Sequence, residues 1–276
     1  MPELPEVETT RRFLVPALEG RTITAVSIRR LRMVRRQARP GDFADRVIGC
    51  RIEQIDRHGK FLLAKLSTDV TWVTHLGMSG SVRLAVAGDP EDPHTNVVIR
   101  LDDATECRMV DPRTFGFVAA FLPDEMAAGS LAGLGPDALD DLPTTAVLRA
   151  RMEGRAVPIK PLLLDQAFLA GLGNIYADEV LFRSGIAPSR RAGSLERDEV
   201  KRLRGAIRPI LEAGLRHGGT SLDDLAYLLP DGRAGDYLSR LMVYGREDRP
   251  CRRCGTPIRR AVLRQRSTFW CPECQA

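Results

Sequence analysis

Near the C-terminus, Cys251-x2-Cys254 and Cys271-x2-Cys274 stand sixteen residues apart, and this spacing constrains the chain more than any other feature. Each Cys-x2-Cys turn presents two thiolates to one ion, and two such turns complete a tetrahedral four-sulfur shell. A closed shell leaves no position for water or a labile ligand, so the expected cofactor is one structural Zn2+ rather than a catalytic one. Residues Ile258 to Phe269, between the knuckles, are expected to form a two-stranded hairpin. The other two of the six cysteines, Cys50 and Cys107, lie singly in strand-like runs and read as buried free thiols.

A chain of 276 residues has room for two domains of ordinary size. Residues 5 to 18 set Val7, Phe13, Leu14 and Leu18 among charged neighbours, with Gly20 as a stop, which predicts one amphipathic helix. Eight short strand-like runs follow: Thr22 to Arg29, Val47 to Asp56, Phe61 to Leu66, Val70 to His75, Ser81 to Val86, Asn96 to Leu101, Glu106 to Val110 and Phe117 to Leu122. Their alternation and turn signals predict an antiparallel β-sandwich. Helices are expected over Ala146 to Glu153, Pro161 to Ala170, Asn174 to Ser184, Leu195 to Gly214 and Leu222 to Leu228. The fold class is therefore α+β, with a sandwich over 1–130, a connection over 131–145, a helical domain over 146–245 and a zinc finger over 246–276.

The 41 Lys and Arg against 36 Asp and Glu give a net charge of +5, which suits an anionic partner. Between residues 246 and 266 eight arginines face only Glu247 and Asp248, so the positive charge is concentrated on the cysteine-bearing tail. No apolar run approaches the roughly 18 residues a membrane span requires, and the N-terminus is acidic where a signal peptide is basic. The expectation is a soluble, cytoplasmic protein with no membrane partner.

The first residues are chemically unusual. Removal of Met1, which a small following residue permits, exposes the secondary amine of Pro2 beside the Glu3 carboxyl. An α-amino group has a reference pKa of about 7.7 to 8, so its neutral, nucleophilic form is well populated near neutral pH. Attack on a sugar aldehyde carbon would give an iminium ion, with Glu3 as general acid and base. The plain alternative is an acidic helix N-terminus with prolines where helices begin.

Two Gly-bounded turns after strands, His75-Leu-Gly-Met78-Ser-Gly80 and Asp111-Pro-Arg113-Thr-Phe115-Gly116, carry apolar and cationic side chains. Proteins that kink duplex DNA insert such wedges between base steps, while Arg hydrogen-bonds a base edge left unpaired. Met78 and Phe115 could equally be core residues, and Lys60, after His58-Gly59, a solvated lysine. Gly171-Leu-Gly173-Asn174 joins two expected helices, with Asn174 read as an N-cap whose helix amides can meet a phosphate oxygen. An ordinary pair of antiparallel helices would look the same.

Taken together, Pro2-Glu-Leu-Pro-Glu-Val-Glu, His75-Leu-Gly-Met-Ser-Gly, Asp111-Pro-Arg, Gly173-Asn-Ile-Tyr-Ala and the cysteine knuckles resemble the bacterial formamidopyrimidine-DNA glycosylases, in the family's order and end to end. The resemblance implies a monomeric, nucleoid-associated bacterial enzyme with a β-sandwich, a helix-two-turn-helix domain and a zinc hairpin, binding double-stranded DNA between its domains. It implies excision of oxidised purines, 8-oxoguanine and formamidopyrimidines, followed by β,δ-elimination. Residue by residue, Pro2 matches the Schiff-base nucleophile and Glu3 the proton donor. Lys60, Asn174 and Arg266 match a phosphate clamp around the damaged nucleotide, with Lys60 and Arg266 counted in the catalytic set. Met78, Arg113 and Phe115 match the residues that fill the space of the everted base. His75 opens one of these DNA-contacting loops, and Lys160 matches a lysine linked to recognition of oxidised purines.

Thr114 stands where many relatives have a second arginine, and Asp236 replaces a more usual aromatic or neutral residue in a loop over Gly218 to Arg240. Two rival readings share many of these features. An endonuclease VIII-like glycosylase for oxidised pyrimidines usually opens Pro-Glu-Gly-Pro-Glu and lacks the His-Leu-Gly-Met turn. A zinc-dependent protein that binds lesions without cleaving would have no use for Pro2 and Glu3.

Overall fold

The computed structural model describes residues 2–129, 131–221 and 227–276. They divide into two compact units, one of residues 1–133 with 215–238, the other of residues 134–214 with 239–276. This differs from the sequence-based partition, since residues 215–238 belong with the sandwich. The reason is local to that unit: the Thr220 backbone N–H donates to the Glu6 carboxylate at 2.7 Å, and the Tyr227 hydroxyl donates to the Glu6 carbonyl at 3.1 Å.

The first unit begins with α1, Leu4–Leu18, followed by β1, Ile23–Ile28, and a short helix α2, Asp42–Val47. Then come β2 Ile52–His58, β3 Phe61–Leu66, β4 Thr71–His75, β5 Ser81–Val86, β6 Thr95–Leu101, β7 Thr105–Val110 and β8 Phe117–Phe121, with α3 over Pro123–Ala128. The eight strands form two antiparallel sheets, ordered β1-β6-β7-β5 and β2-β3-β4-β8. The expected run Val47 to Asp56 splits into the end of α2 and the start of β2. A register shift between Ile52 and Gln54 lets β2 bury both Ile52 and Ile55, which strict alternation would put on opposite faces. Leu62, Ala64 and Trp72 complete that side, and Val82, Val97, Ile99 and Met109 belong to the same core.

Helix α1 is amphipathic only in its second half. From Leu4 to Thr10 every residue is buried, including Glu6 and Glu8. Buried carboxylates must be paired or hydrogen-bonded. Glu8 bonds Arg11 at 2.8 Å and Arg12 at 2.9 Å and pairs with the buried Arg57 at 3.3 Å. Burial alone would raise the Glu8 carboxyl, but hydrogen bonds from Arg11 and Arg12 and the charges of Arg11 and Arg57 outweigh it and hold it below its usual value.

The second unit contains α4 Thr145–Met152, α5 Ile159–Leu164, α6 Asn174–Ser184, α7 Arg197–Arg216 as far as Gly214, and the hairpin β9 Arg259–Leu263 and β10 Arg266–Trp270. Helix α5 stops well short of Ala170, because the Asp165 carboxylate and carbonyl accept from Ala167, Phe168 and Leu169 and turn the chain. Val200, Leu203, Ile207, Ile210 and Leu211 give α7 one buried face. Residues 134–144 are not a loose connection: Asp137 accepts from Leu139 N and Asp140 N, and Gly135 N donates to Gln166 O. The expected helix over Leu222 to Leu228 falls largely on residues outside those described. No helix among the described residues is long and apolar enough to cross a membrane.

Candidate active site and nucleic-acid interface

In the first unit the chain buries Pro2 and caps α1 with Glu3, which is 1% exposed. The Glu6 carboxylate closes over this end, accepting the Glu3 N–H at 2.8 Å on one oxygen and the Thr220 N–H at 2.7 Å on the other. Gly219, with φ +83°, makes that approach possible, because a Cβ there would lie 2.7 Å from the Glu6 oxygen. A fifteen-residue helix thus presents its positive end at the residues read as nucleophile and acid.

Lys60 occupies the two-residue turn between β2 and β3, after Gly59 at φ +56°. It is not the solvated lysine of the plain reading, being 8% exposed. Arg57 bridges this turn to α1, donating to the Gly59 carbonyl at 3.1 Å and to Glu8 at 3.3 Å. Pro2, Glu3 and Lys60 therefore rest on one rigid frame of helix and hairpin.

The two wedge-like turns are locked together by backbone packing. Gly77 has φ +67°, and a Cβ on it would meet the Gly116 nitrogen at 2.4 Å. Asp111, fully buried, accepts from the Ser79 hydroxyl at 2.6 Å, the Gly116 N–H at 2.7 Å and the Arg113 N–H at 3.2 Å. On this base Phe115 stands 44% exposed with the Arg113 guanidinium 5.6 Å from its ring centre, while Met78 is half-buried. Thr114, a β-branched residue at φ +53°, carries the bend between them. His75 is half-buried, its ring 4.7 Å from Phe61 and 5.7 Å from Phe117, with Nδ1 accepting from Gly77 N–H at 3.1 Å. Burial, then the charges of Lys60, Arg35 and Arg36, push its pKa down to about 4. The imidazole is neutral at pH 7 and offers Nε2–H as a donor.

In the second unit Asn174 is the first residue of α6, and Gly173 is the N-cap. The expected capping role fails because the Asn174 amide nitrogen donates to the Ser267 carbonyl at 3.0 Å. That bond sets Asn174 beside Arg266, which is exposed at the start of β10 after a turn with Arg264 and Gln265 at φ +43° and +64°. Lys160, expected to face DNA, is fully buried. Its ammonium lies 2.8 Å from Asp178 and donates to Ser267 O at 2.8 Å and Thr268 Oγ1 at 3.0 Å. A cation so enclosed holds the hairpin strand rather than reaching a base.

Sequence reasoning passed over Glu6, Asp178 and Glu179. Asp178 accepts the Phe269 N–H at 3.0 Å, and Glu179 accepts from Met242, Val243 and Tyr244 at 2.8, 2.9 and 3.0 Å. For Asp178 and Glu179 the available signal was two adjacent acids inside the otherwise apolar stretch 175–182 of α6. Such acids must find donors in the fold.

The four knuckle sulfurs lie within 4.8 Å of one another, with Cys254 3.5 Å from Cys271 and Cys251 4.0 Å from Cys274. A tetrahedral zinc with bonds of about 2.3 Å requires sulfurs about 3.8 Å apart, so the donors fit one structural Zn2+. None of the six cysteines is in a disulfide.

Comparison with known proteins places every part of this architecture. Residues 1–118 match the formamidopyrimidine-DNA glycosylase N-terminal domain, 134–225 its H2TH domain, and 249–276 the zinc finger found in FPG and IleRS. The chain is 44% identical to a formamidopyrimidine-DNA glycosylase of Stenotrophomonas maltophilia over the full length of both. Among solved structures it resembles the MutM (FPG) protein of Thermus thermophilus, at 40% identity and TM-score 0.87, covering 99% and 98% of the two chains. It also resembles a glycine-to-proline variant of Lactococcus lactis FPG bound to DNA containing Fapy-dG, at 32% identity, TM-score 0.90 and 99% coverage of each. The wild-type lactococcal protein, described in complex with DNA containing an oxidised pyrimidine, matches at 32% identity and TM-score 0.89, again covering 99% of each chain.

Proposed function

The chain belongs to the formamidopyrimidine-DNA glycosylase family, a family of DNA repair enzymes, and from that premise we propose that it excises oxidised purines from duplex DNA and then cleaves the strand. The observation that carries this reading is the burial of Pro2 and Glu3 at the head of α1, with Glu6 fixing the Glu3 backbone.

Removal of Met1 leaves Pro2 with a secondary amine. Its nitrogen bonds to C1′ as the glycosidic bond breaks, and the base departs carrying a proton. Ring opening places a proton from Glu3 on O4′ and leaves an iminium ion. The iminium draws electrons from the sugar, so loss of the C2′ proton expels the 3′ phosphate and loss of the C4′ proton expels the 5′ phosphate. Water then releases the sugar fragment and restores Pro2.

Access to C1′ requires the nucleotide outside the stack. In the first unit Lys60 supplies a cationic donor for a backbone phosphate; in the second, Asn174 and Arg266 supply amide and guanidinium donors for a phosphate. Met78 and Phe115 replace the lost stacking, and Arg113 offers donors to the orphaned base. His75 contributes a neutral donor to the backbone. Lys160 acts through the hairpin, holding β10 so that Arg266 stands beside Asn174. The zinc ion, bound by the four cysteines, stabilises that hairpin.

The test is borohydride trapping on duplexes carrying 8-oxoguanine opposite cytosine or an oxidised pyrimidine, with the crosslinked residue mapped by mass spectrometry. A crosslink at Pro2, stronger on the purine lesion, is expected. Stronger trapping on the pyrimidine would move the substrate class to that of the rival glycosylases. Tight binding with no covalent product would overturn catalysis altogether.

A further inference from the structure

Residues 29–39 carry six arginines. At the two ends of the run the charges are neutralised, Arg29 by Glu91 and Arg39 by Asp42. In the middle they are not. Among the described residues no carboxylate lies within ion-pair distance of Arg30, Arg32, Arg35 or Arg36.

A run of charge is usually a solvated face, but this one is built into the wedge loop. Arg35 donates to the carbonyls of Phe115 at 2.8 Å and Gly116 at 2.6 Å, and also to its own Arg32 carbonyl at 2.8 Å. Arg32 donates Nε to the Thr114 carbonyl at 3.2 Å, which leaves its terminal nitrogens beside the tip of the loop. Arg35 and Arg36 both lie 5.5 Å from the centre of the Phe117 ring. Asp111, the buried acid whose charge acts on Arg35, is already engaged by Ser79, Arg113 and Gly116. Like charges are thus held together at a defined place, with no carboxylate among the described residues paired to them, and the Arg35 pKa is lowered by burial and by Arg32 and Arg36, against the pull of Asp111.

We propose that Arg32 and Arg36, fixed to the wedge loop through Arg35, form a second DNA-backbone contact on the sandwich unit, taken by phosphodiesters of the duplex next to the inserted Phe115. The assignment rests on the wedge role given to Phe115 and Arg113. A duplex carries one phosphate charge per about 1.7 Å of axis, a density that a cluster of unpaired guanidiniums matches and a single metabolite does not. Because Arg32 and Arg35 bond the carbonyls that shape residues 114–116, binding a phosphate beside them and seating the wedge become one event.

The experiment is the salt dependence of binding to two 25-mer duplexes, one undamaged and one with 8-oxoguanine opposite cytosine. Arg32→Ala/Arg36→Ala is expected to lower the slope of log K against log[salt] by about 2 on both duplexes, close to 0.9 per lost phosphate contact. Arg32→Lys/Arg36→Lys keeps the charges and is expected to keep the slope. Single Arg32→Gln and Arg36→Gln variants, each expected to lower it by about 1, decide the matter if the double variant is poorly folded. A slope equal to that of the unaltered protein in the charge-removed variants, with an unchanged thermal midpoint, overturns the proposal. The two readings fail separately: absence of a Pro2 crosslink to the 8-oxoguanine duplex in the unaltered protein refutes the glycosylase reading, while the salt slope on the undamaged duplex still decides the phosphate contact.

Discussion

Lys160 and Asp178 form an ion pair at 2.8 Å in which neither side chain is exposed. Burial pushes the Asp178 carboxyl up to about 7 even against the charge of Lys160 and its hydrogen bond from Phe269 N–H. Removing the lysine leaves that carboxyl without its cation and frees Ser267 O and Thr268. Lys160→Ala is expected to destabilise the second unit by about 3 to 5 kcal/mol, while Lys160→Met/Asp178→Leu loses less than the single change. Denaturant unfolding of both variants measures this. A Lys160→Ala protein as stable as the parent, with altered lesion choice alone, would return the lysine to direct recognition.

Glu6 joins the Glu3 N–H and the Thr220 N–H through its two carboxylate oxygens. Glu6→Gln keeps one acceptor but turns an NH2 group toward the other donor. The expected cost is about 1 to 3 kcal/mol, from one lost charge-assisted bond and one unsatisfied N–H. Since Glu3 is held by this bond, trapping on a preformed abasic site should slow at least about tenfold. Unchanged trapping by a folded variant would confine Glu6 to stability.

What could be read from the sequence was local. Asn174 and Gly185 bound α6 because the first opens the helix after an extended glycine and the second takes φ +73°. Phe61 to Leu66 alternates cleanly and is β3. The cysteine spacing defined the metal site because four ligands on two turns have one arrangement. The failures involve distant partners. Nothing near Thr220 shows that its N–H meets a residue 214 positions earlier, so 215–238 looked like part of the helical domain. Lys160 looked exposed because a lysine ordinarily is, and only Asp178, Ser267 and Thr268 together make its burial tolerable.

His75 predicts a pH dependence. Its Nδ1 must stay unprotonated to accept from Gly77, and its pKa is depressed from 6.5 to about 4. Between those values the unfolded chain binds the proton and the folded one does not. Stability is therefore full above about pH 6.5 and is lost as pH falls toward 4, by about 3 to 4 kcal/mol at most at 1.36 kcal/mol per unit. His75→Gln should flatten this part of the stability curve. An equal slope in parent and variant between pH 6.5 and 4 would show that another group titrates there.

Chelation separates the two classes of cysteine. Phe182, Val243, Ile258 and Phe269 make only a small core around Cys251 and Cys271. An isolated hairpin with strands of five residues is marginal in water, so most of its folding energy comes from the metal. In the other unit Cys107 is buried, with its thiol pushed up to about 12, and Cys50 is buried as well. A thiol reagent at pH 8 is expected to find four rapidly reacting cysteines after chelation and the full six only after denaturation. The melted hairpin should bind duplex DNA more weakly, because Arg266 and the partner of Asn174 both lie on β10. Four fast thiols with unchanged DNA affinity would mean that the hairpin makes no contact with the duplex. Six fast thiols would mean that the sandwich unfolds with it and that the two units share one transition.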